Sequence, residues 1–214
     1  MESAKGGSRK VPFFAAMNRK TDPLRPKPRI TERNRVFDGW NTLDVLSVET
    51  LDDDGISRRH VREVLDHGPG VAVLAYDPDR RRALLVRQWR APLLAMGDDP
   101  FLLEACAGLI DAGETPPQAA IREVEEELGL HLEAVRKVGE VYASPGALTE
   151  KMHLFLATYG SDDRKSDGGG LDHEGEDIEI VEMPLDELFD MARAGTIADA
   201  KTLILVQKLI LERV

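Results

Sequence analysis

The stretch GLIDAGETPPQAAIREVEEELGL, Gly108 to Leu130, decides how this 214-residue chain is read. Thr115 and Gln118 form a capping-box pair, and Pro116 stands at a first helical position, where no amide hydrogen is needed. Gly129 supplies the residue at which a helix stops. The punctuation predicts a loop from Gly108 and a helix over 116–128. At 100° per residue, Ala120, Ile121, Val124 and Leu128 share one arc, while Glu123, Glu126 and Glu127 share the next. One face packs and its neighbour presents carboxylates. Carboxylates three or four residues apart lie about 5–6 Å from each other and repel by roughly a few tenths of a kcal/mol. A hard divalent cation such as Mg²⁺ or Mn²⁺ offsets that repulsion, taking a few protein oxygens and sharing the rest of its shell with water and phosphate. For a bare Glu-x-x-Glu-Glu the plainer reading is a solvated acidic face. The full spacing favours the metal, because seven fixed residues and two aliphatic positions coincide by chance in fewer than about one chain in a hundred thousand.

Outward from this segment the pattern is of short strands. Expected strands cover 43–49, 57–65, 71–76, 82–90, 101–105, 135–142, 151–159 and 177–183, with further helices over 184–194 and 201–211. Strands and helices in irregular order imply an α+β sandwich. The hydrophobic fraction of 42% allows a sizeable core, and no apolar run approaches the roughly 18 residues that cross a bilayer. Cys106 is the only cysteine, so no intramolecular disulfide forms and a reducing cytoplasm is the expected home. The net charge of −11 argues against a general nucleic-acid binder. Residues 1–36 nevertheless carry ten Lys or Arg against Glu2, Asp22 and Glu32, a net of +7 that leaves −18 for the rest. They read as a basic, extended or flexible arm.

The segment Gly108–Leu130 is a complete Nudix box, and on it the chain resembles the Nudix hydrolases, which cleave a nucleoside diphosphate linked to another moiety. The resemblance implies the Nudix α/β/α sandwich over 69–214, preceded by a strand subdomain over 37–68 that swaps in a homodimer. It also implies that Glu123, Glu126 and Glu127, with the carbonyl of Ala107, hold Mg²⁺ or Mn²⁺, and that Arg122 holds the glutamates in place. Flanking runs, namely Leu103–Asp111, Tyr142–Gly146 with Thr149-Glu150, Gly168-Gly169-Gly170, Glu174–Glu179 and Asp199–Leu203, resemble the branch containing ADP-ribose and GDP-mannose pyrophosphatases. The Glu-Ala-Cys-Ala-Gly, triple-glycine and Asp-Ala-Lys-Thr runs lie closer to the GDP-mannose group.

By that resemblance the reaction takes GDP-mannose to GMP and mannose 1-phosphate, with ADP-ribose giving AMP and ribose 5-phosphate as the alternative. A non-cleaving nucleotide-sugar sensor is disfavoured by the intact carboxylates, and RNA decapping by the acidic body. The water-activating base of this branch lies on a late loop matching Glu174, with Glu176 as the other candidate. Arg87 and Arg90 either clamp the diphosphate or make surface ion pairs. Trp40 either stacks on the nucleobase, in its own or a partner's site, or packs in the core. Glu104 is expected to contact sugar or metal, and Ser144 and Gly146 to shape the substrate loop. The five histidines show no metal-ligand spacing and read as structural or solvated.

Overall fold

The computed structural model describes residues 26–52, 54–171 and 177–214. They form two compact units: the residues up to Arg35 with Asp44–Glu63, and Val36–Leu43 with Val64–Val214. Strands β1 (Arg29–Asp38), β2 (Thr42–Leu51) and β3 (Ser57–Asp66) make a three-stranded sheet in chain order. Their short connections require antiparallel pairing. Strand β1 starts inside the stretch read as an arm, which is a correction to that boundary. All ten of its residues are exposed, so it carries none of the apolar alternation by which strands are recognised. Cross-strand polar contacts help to hold it, with Arg35 Nε 2.9 Å from Asp44 Oδ1 and the Thr31 hydroxyl donating to the Ser47 carbonyl at 3.2 Å. The part of the arm before residue 26 lies outside the described residues.

The second unit is built on a seven-stranded mixed sheet. Strands β4 (Gly70–Asp77), β5 (Arg82–Trp89), β8 (Arg136–Tyr142), β9 (Lys151–Thr158) and β10 (Glu179–Pro184) run in the order β10-β5-β4-β9-β8, and among the described strands of this sheet only β4 and β9 pair in parallel. Every residue of β4 is buried. Successive side chains of a strand point to opposite faces, and β4 divides its residues between two cores accordingly. Val71, Val73 and Ala75 join Val124 and Leu128 of α2 (Pro116–Leu128). Ala72, Leu74 and Tyr76 join Leu188 of α3 (Leu185–Ala194) and Leu205 and Leu209 of α4 (Ala200–Glu212). The unit is the expected α/β/α sandwich. Emptying either core would be costly, since truncating a buried leucine to alanine loses about 2–5 kcal/mol.

A split in this sheet positions the site. Strands β4 and β5 pair only over Ala75–Asp77 against Leu84–Arg82, then diverge. Two four-residue strands fill the gap, β6 (Phe101–Glu104) on β5 and β7 (Cys106–Leu109) on β4. Ala105 lies between them, and its N–H donates to the Thr202 hydroxyl at 2.7 Å, tying the corner to the first turn of α4. Glu104, Ala107 and Gly108 therefore stand at the opening of the sheet. Neither β7 nor the short helix α1 (Ala91–Met96) was expected from periodicity, because four and six residues are too few to show one.

Candidate active site

Helix α2 begins and ends as its sequence predicts. Gln118 Oε1 accepts from the Thr115 N–H at 2.9 Å and from its hydroxyl at 2.7 Å, and Gly129 closes the helix at φ 68°. On its polar side Arg122 is the organising residue. Nε and Nη2 reach the two carboxylate oxygens of Glu114 at 3.0 and 3.1 Å, and Nη2 also donates to the Leu109 carbonyl at 2.9 Å. Nη1 bridges Glu123 Oε1 at 2.8 Å and Glu126 Oε2 at 2.9 Å. These contacts, the two-pronged one with Glu114 foremost, raise the guanidinium pKa and keep it charged. The same contact holds the Glu114 carboxyl below its ordinary range. Arg122 thus orients acids, and its bonds are made to the protein.

Glu123, which it orients, and Glu127 one turn further on are both withdrawn from water, being 7% and 1% exposed. Glu127 Oε2 accepts from the Ala107 N–H at 3.1 Å. The Glu123 carboxylate lies against Gly108, where a Cβ would stand 1.9 Å from its Oε1. Any other residue at 108 would displace that carboxylate. Among the described residues no three His, Cys, Asp or Glu side chains already converge as a metal cage, and between Glu123 and Glu126 lies the Arg122 guanidinium. The donor set nonetheless fits a hard divalent cation: carboxylate oxygens one helical turn apart, a backbone segment at Ala107 beside them, and a cradle kept open by Gly108. Two nearly buried carboxylates sharing a neighbourhood with one guanidinium gain from further positive charge.

These residues open on a cleft of about 940 Å³, lined among others by Trp40, Arg90, Glu104, Ala107, Arg122 and Glu123. Glu126 and Glu127 are not among the cleft-lining residues. Glu104 is 2% exposed and meets Arg90, whose Nε is 3.2 Å from Oε1 and whose Nη2 contacts Oε2, while Lys201 Nζ stands 3.6 Å from Oε2. Burial lowers the Arg90 pKa, but Glu104, together with Glu127 and Asp199, more than compensates and the net shift is upward. Asp199 caps α4 by accepting from the Thr202 N–H at 2.8 Å and holds Lys201 at 2.8 Å, so the Asp-Ala-Lys-Thr run aims a cation into the cleft. Arg87 stands elsewhere, 3.4 Å from Glu179 and over the Phe101 ring at 5.0 Å. Ser144 and Gly146 are exposed and are not among the cleft-lining residues. Glu174 and Glu176 lie outside the described residues.

A model of the NUDIX domain matches residues 66–205. A "GDP-mannose pyrophosphatase" of Cronobacter sakazakii is 46% identical over 158 residues, 73% of this chain and 81% of its own length. The chain belongs to the Nudix family. A "GDP-mannose pyrophosphatase" of Salmonella arizonae is 41% identical over 174 residues, 80% of this chain and 89% of its own. A solved structure described as "Crystal structure of ADP compounds hydrolase" shares the fold, with TM-score 0.66 at 22% identity over 88% of this chain and 97% of that one.

Nudix hydrolases generally use divalent metal ions, in keeping with the carboxylates assembled on α2. The Nudix loop beyond the box has a local role as well. Gly169 and Gly170 donate to the carbonyls of Glu127 and Glu126 at 2.9 and 3.2 Å, and Lys165 to that of Gly129 at 2.8 Å, closing the open end of α2. Sequence reading singled out the triple glycine without finding this use. It also assigned no role to His67, Glu150 or Lys201 in the cleft. Lys201 had a local signal, the cap before it. His67 and Glu150 meet across 83 positions, beyond the reach of any local pattern.

Proposed function

We propose that this protein hydrolyses the diphosphate bridge of a nucleoside diphosphate sugar, taking GDP-mannose and water to GMP and mannose 1-phosphate, with Mg²⁺ as its cation and Mn²⁺ as a substitute. The observation that carries the reading is a complete box whose Arg122 and Glu123 line one cleft, in a chain similar to GDP-mannose pyrophosphatases at 46% and 41% identity. Hydrolysis at a diphosphate needs neutralised phosphate oxygens, a positioned water and a stabilised leaving phosphate. Glu123, Glu127 and the Ala107 carbonyl would hold the cation, with Glu126 as a further ligand. When bound, it supplies Lewis-acid neutralisation of the phosphate oxygens and lowers the pKa of a water in its shell. Arg122 keeps Glu123 and Glu126 aimed.

Arg90 and Lys201 give the cleft a cationic flank suited to the phosphates, with Glu104 holding both heads in place. Glu174 takes the proton from the attacking water, Glu176 being the other candidate. Trp40 receives the base, Ser144 and Gly146 shape the loop beside the substrate, and Arg87 adds positive charge outside the cleft lining. The enzyme works in the cytoplasm, without nucleic-acid or membrane partners; no described helix is long and apolar enough to cross a membrane. It acts as a homodimer through the N-terminal sheet, a reading supported by the exposed Ile30 and Val61 on its strands. Sedimentation showing only monomer at micromolar concentration would contradict the dimer.

Incubating the protein and Mg²⁺ with GDP-mannose or ADP-ribose, and resolving products by phosphorus NMR, tests the substrate. GMP with mannose 1-phosphate is the expected result. AMP with ribose 5-phosphate as the preferred outcome would move the specificity to ADP-ribose, and silence on both would favour a sensor.

A further inference from the structure

One part of the cleft lining holds an arrangement for which diphosphate hydrolysis itself has no need. The Trp40 indole lies on the His67 imidazole with ring centroids 5.5 Å apart and planes at 15°. His67 Nε2 is 3.1 Å from Glu150 Oε1. The exposures are graded: Trp40 is 76% exposed, whereas the His67 and Glu150 side chains are 15% and 20% exposed. All three residues line the cleft.

The backbone around them is clipped together. Leu65 donates to the Ala147 carbonyl at 2.9 Å and Thr149 to the Leu65 carbonyl at 3.0 Å, while the Thr149 hydroxyl reaches Asp66. The Thr42 hydroxyl, two residues beyond Trp40, donates to the Asp66 carbonyl at 3.4 Å. The residues before His67 are thus tied both to the segment that delivers Glu150 and to the turn that delivers Trp40. A parallel stack covers one ring face only, so the indole keeps a second face for one flat partner.

We propose that His67 is a positioning residue for the nucleobase: Glu150 fixes the imidazole through Nε2, and the imidazole fixes the Trp40 ring as a platform on which the base stacks. The inference rests on the nucleotide-sugar reading and adds to it a residue that acts through Trp40. An exposed tryptophan free to rotate must be ordered when a base binds. A ring already held on His67 avoids most of that ordering.

The test uses His67→Gln, which removes the stacking surface, His67→Phe, which keeps it, Trp40→Ala, and the double variant Trp40→Ala/His67→Gln. GDP affinity by calorimetry, kcat and KM for GDP-mannose, and melting temperature are measured for each. His67→Gln should weaken GDP binding about three- to ten-fold, the range of an aromatic pair. It should raise KM in step, with kcat within about two-fold of wild type. His67→Phe should restore GDP affinity to within about two-fold, and the double variant should bind no more weakly than Trp40→Ala alone. Additive losses in the double variant would overturn the proposal, as would wild-type GDP affinity in His67→Gln or a loss confined to kcat. His67→Phe keeps the question decidable should His67→Gln melt early. A wild-type protein that binds GDP but leaves GDP-mannose intact would overturn the substrate reading, while the GDP affinities would still decide the role of His67.

Discussion

On the helix wall of the cleft, Arg122 makes five hydrogen bonds of 2.8–3.1 Å to protein oxygens, and of the acids it organises Glu123 is buried while Glu114 and Glu126 are partly buried. On the aromatic wall, Trp40 stands 76% exposed with one face on His67. The first wall is finished before any ligand arrives, and its charge pattern calls for a cation and phosphate. The second leaves a flat surface open, able to accept one base or another according to what surrounds it. Under the proposed function the two walls divide the work: the reaction belongs to the box, and the choice of substrate to contacts between residues distant in sequence.

Substitutions on the helix wall should therefore act on turnover whatever the substrate. The largest effect is expected from Glu127→Gln, which changes one charge and one ligand oxygen in a side chain of nearly equal volume. Turnover should fall by orders of magnitude with the circular dichroism spectrum and melting curve little altered, and near-normal turnover would break the metal assignment. Arg122→Lys comes next. A point charge cannot reproduce a fork that meets both Glu114 oxygens and bridges Glu123 with Glu126, so kcat should drop by about 10- to 100-fold. Mn²⁺ affinity, measured by electron paramagnetic resonance, should weaken with it, and unchanged affinity would show that the fork does not set the ligand geometry. The smallest effect is expected from Arg87→Ala. Its partner Glu179 and its own side chain are about half-exposed or more, so both kcat/KM and stability should stay near wild type. A ten-fold loss of kcat/KM would place Arg87 on the substrate after all.

The same contrast governs what could be read from the sequence. The box helix was legible to its terminal residues because Thr115, Pro116, Gln118 and Gly129 act locally, and local chemistry is written in consecutive letters. Strand β4 was legible because burial on both faces leaves an unbroken apolar run. Strand β1 was not, because a strand exposed at every position has charges where an apolar alternation would be sought. The pairing of His67 with Glu150, and of His67 with Trp40, arises only when the β1–β2 turn, the end of β3 and the loop before β9 meet. The Asp-Ala-Lys-Thr run lay between these cases: its cap was visible, but the second partner of Lys201, Glu104, stands 97 positions away in the chain.

The most direct test of the division between the two walls is to measure kcat and KM for GDP-mannose and ADP-ribose in wild type, Glu127→Gln and Trp40→Ala. Glu127→Gln should lower kcat by a similar factor on both substrates and leave their relative kcat/KM unchanged, whereas Trp40→Ala should act on KM and alter that ratio. A Glu127→Gln enzyme that lost one substrate and kept the other, or a Trp40→Ala enzyme whose defect lay in kcat alone, would contradict the account.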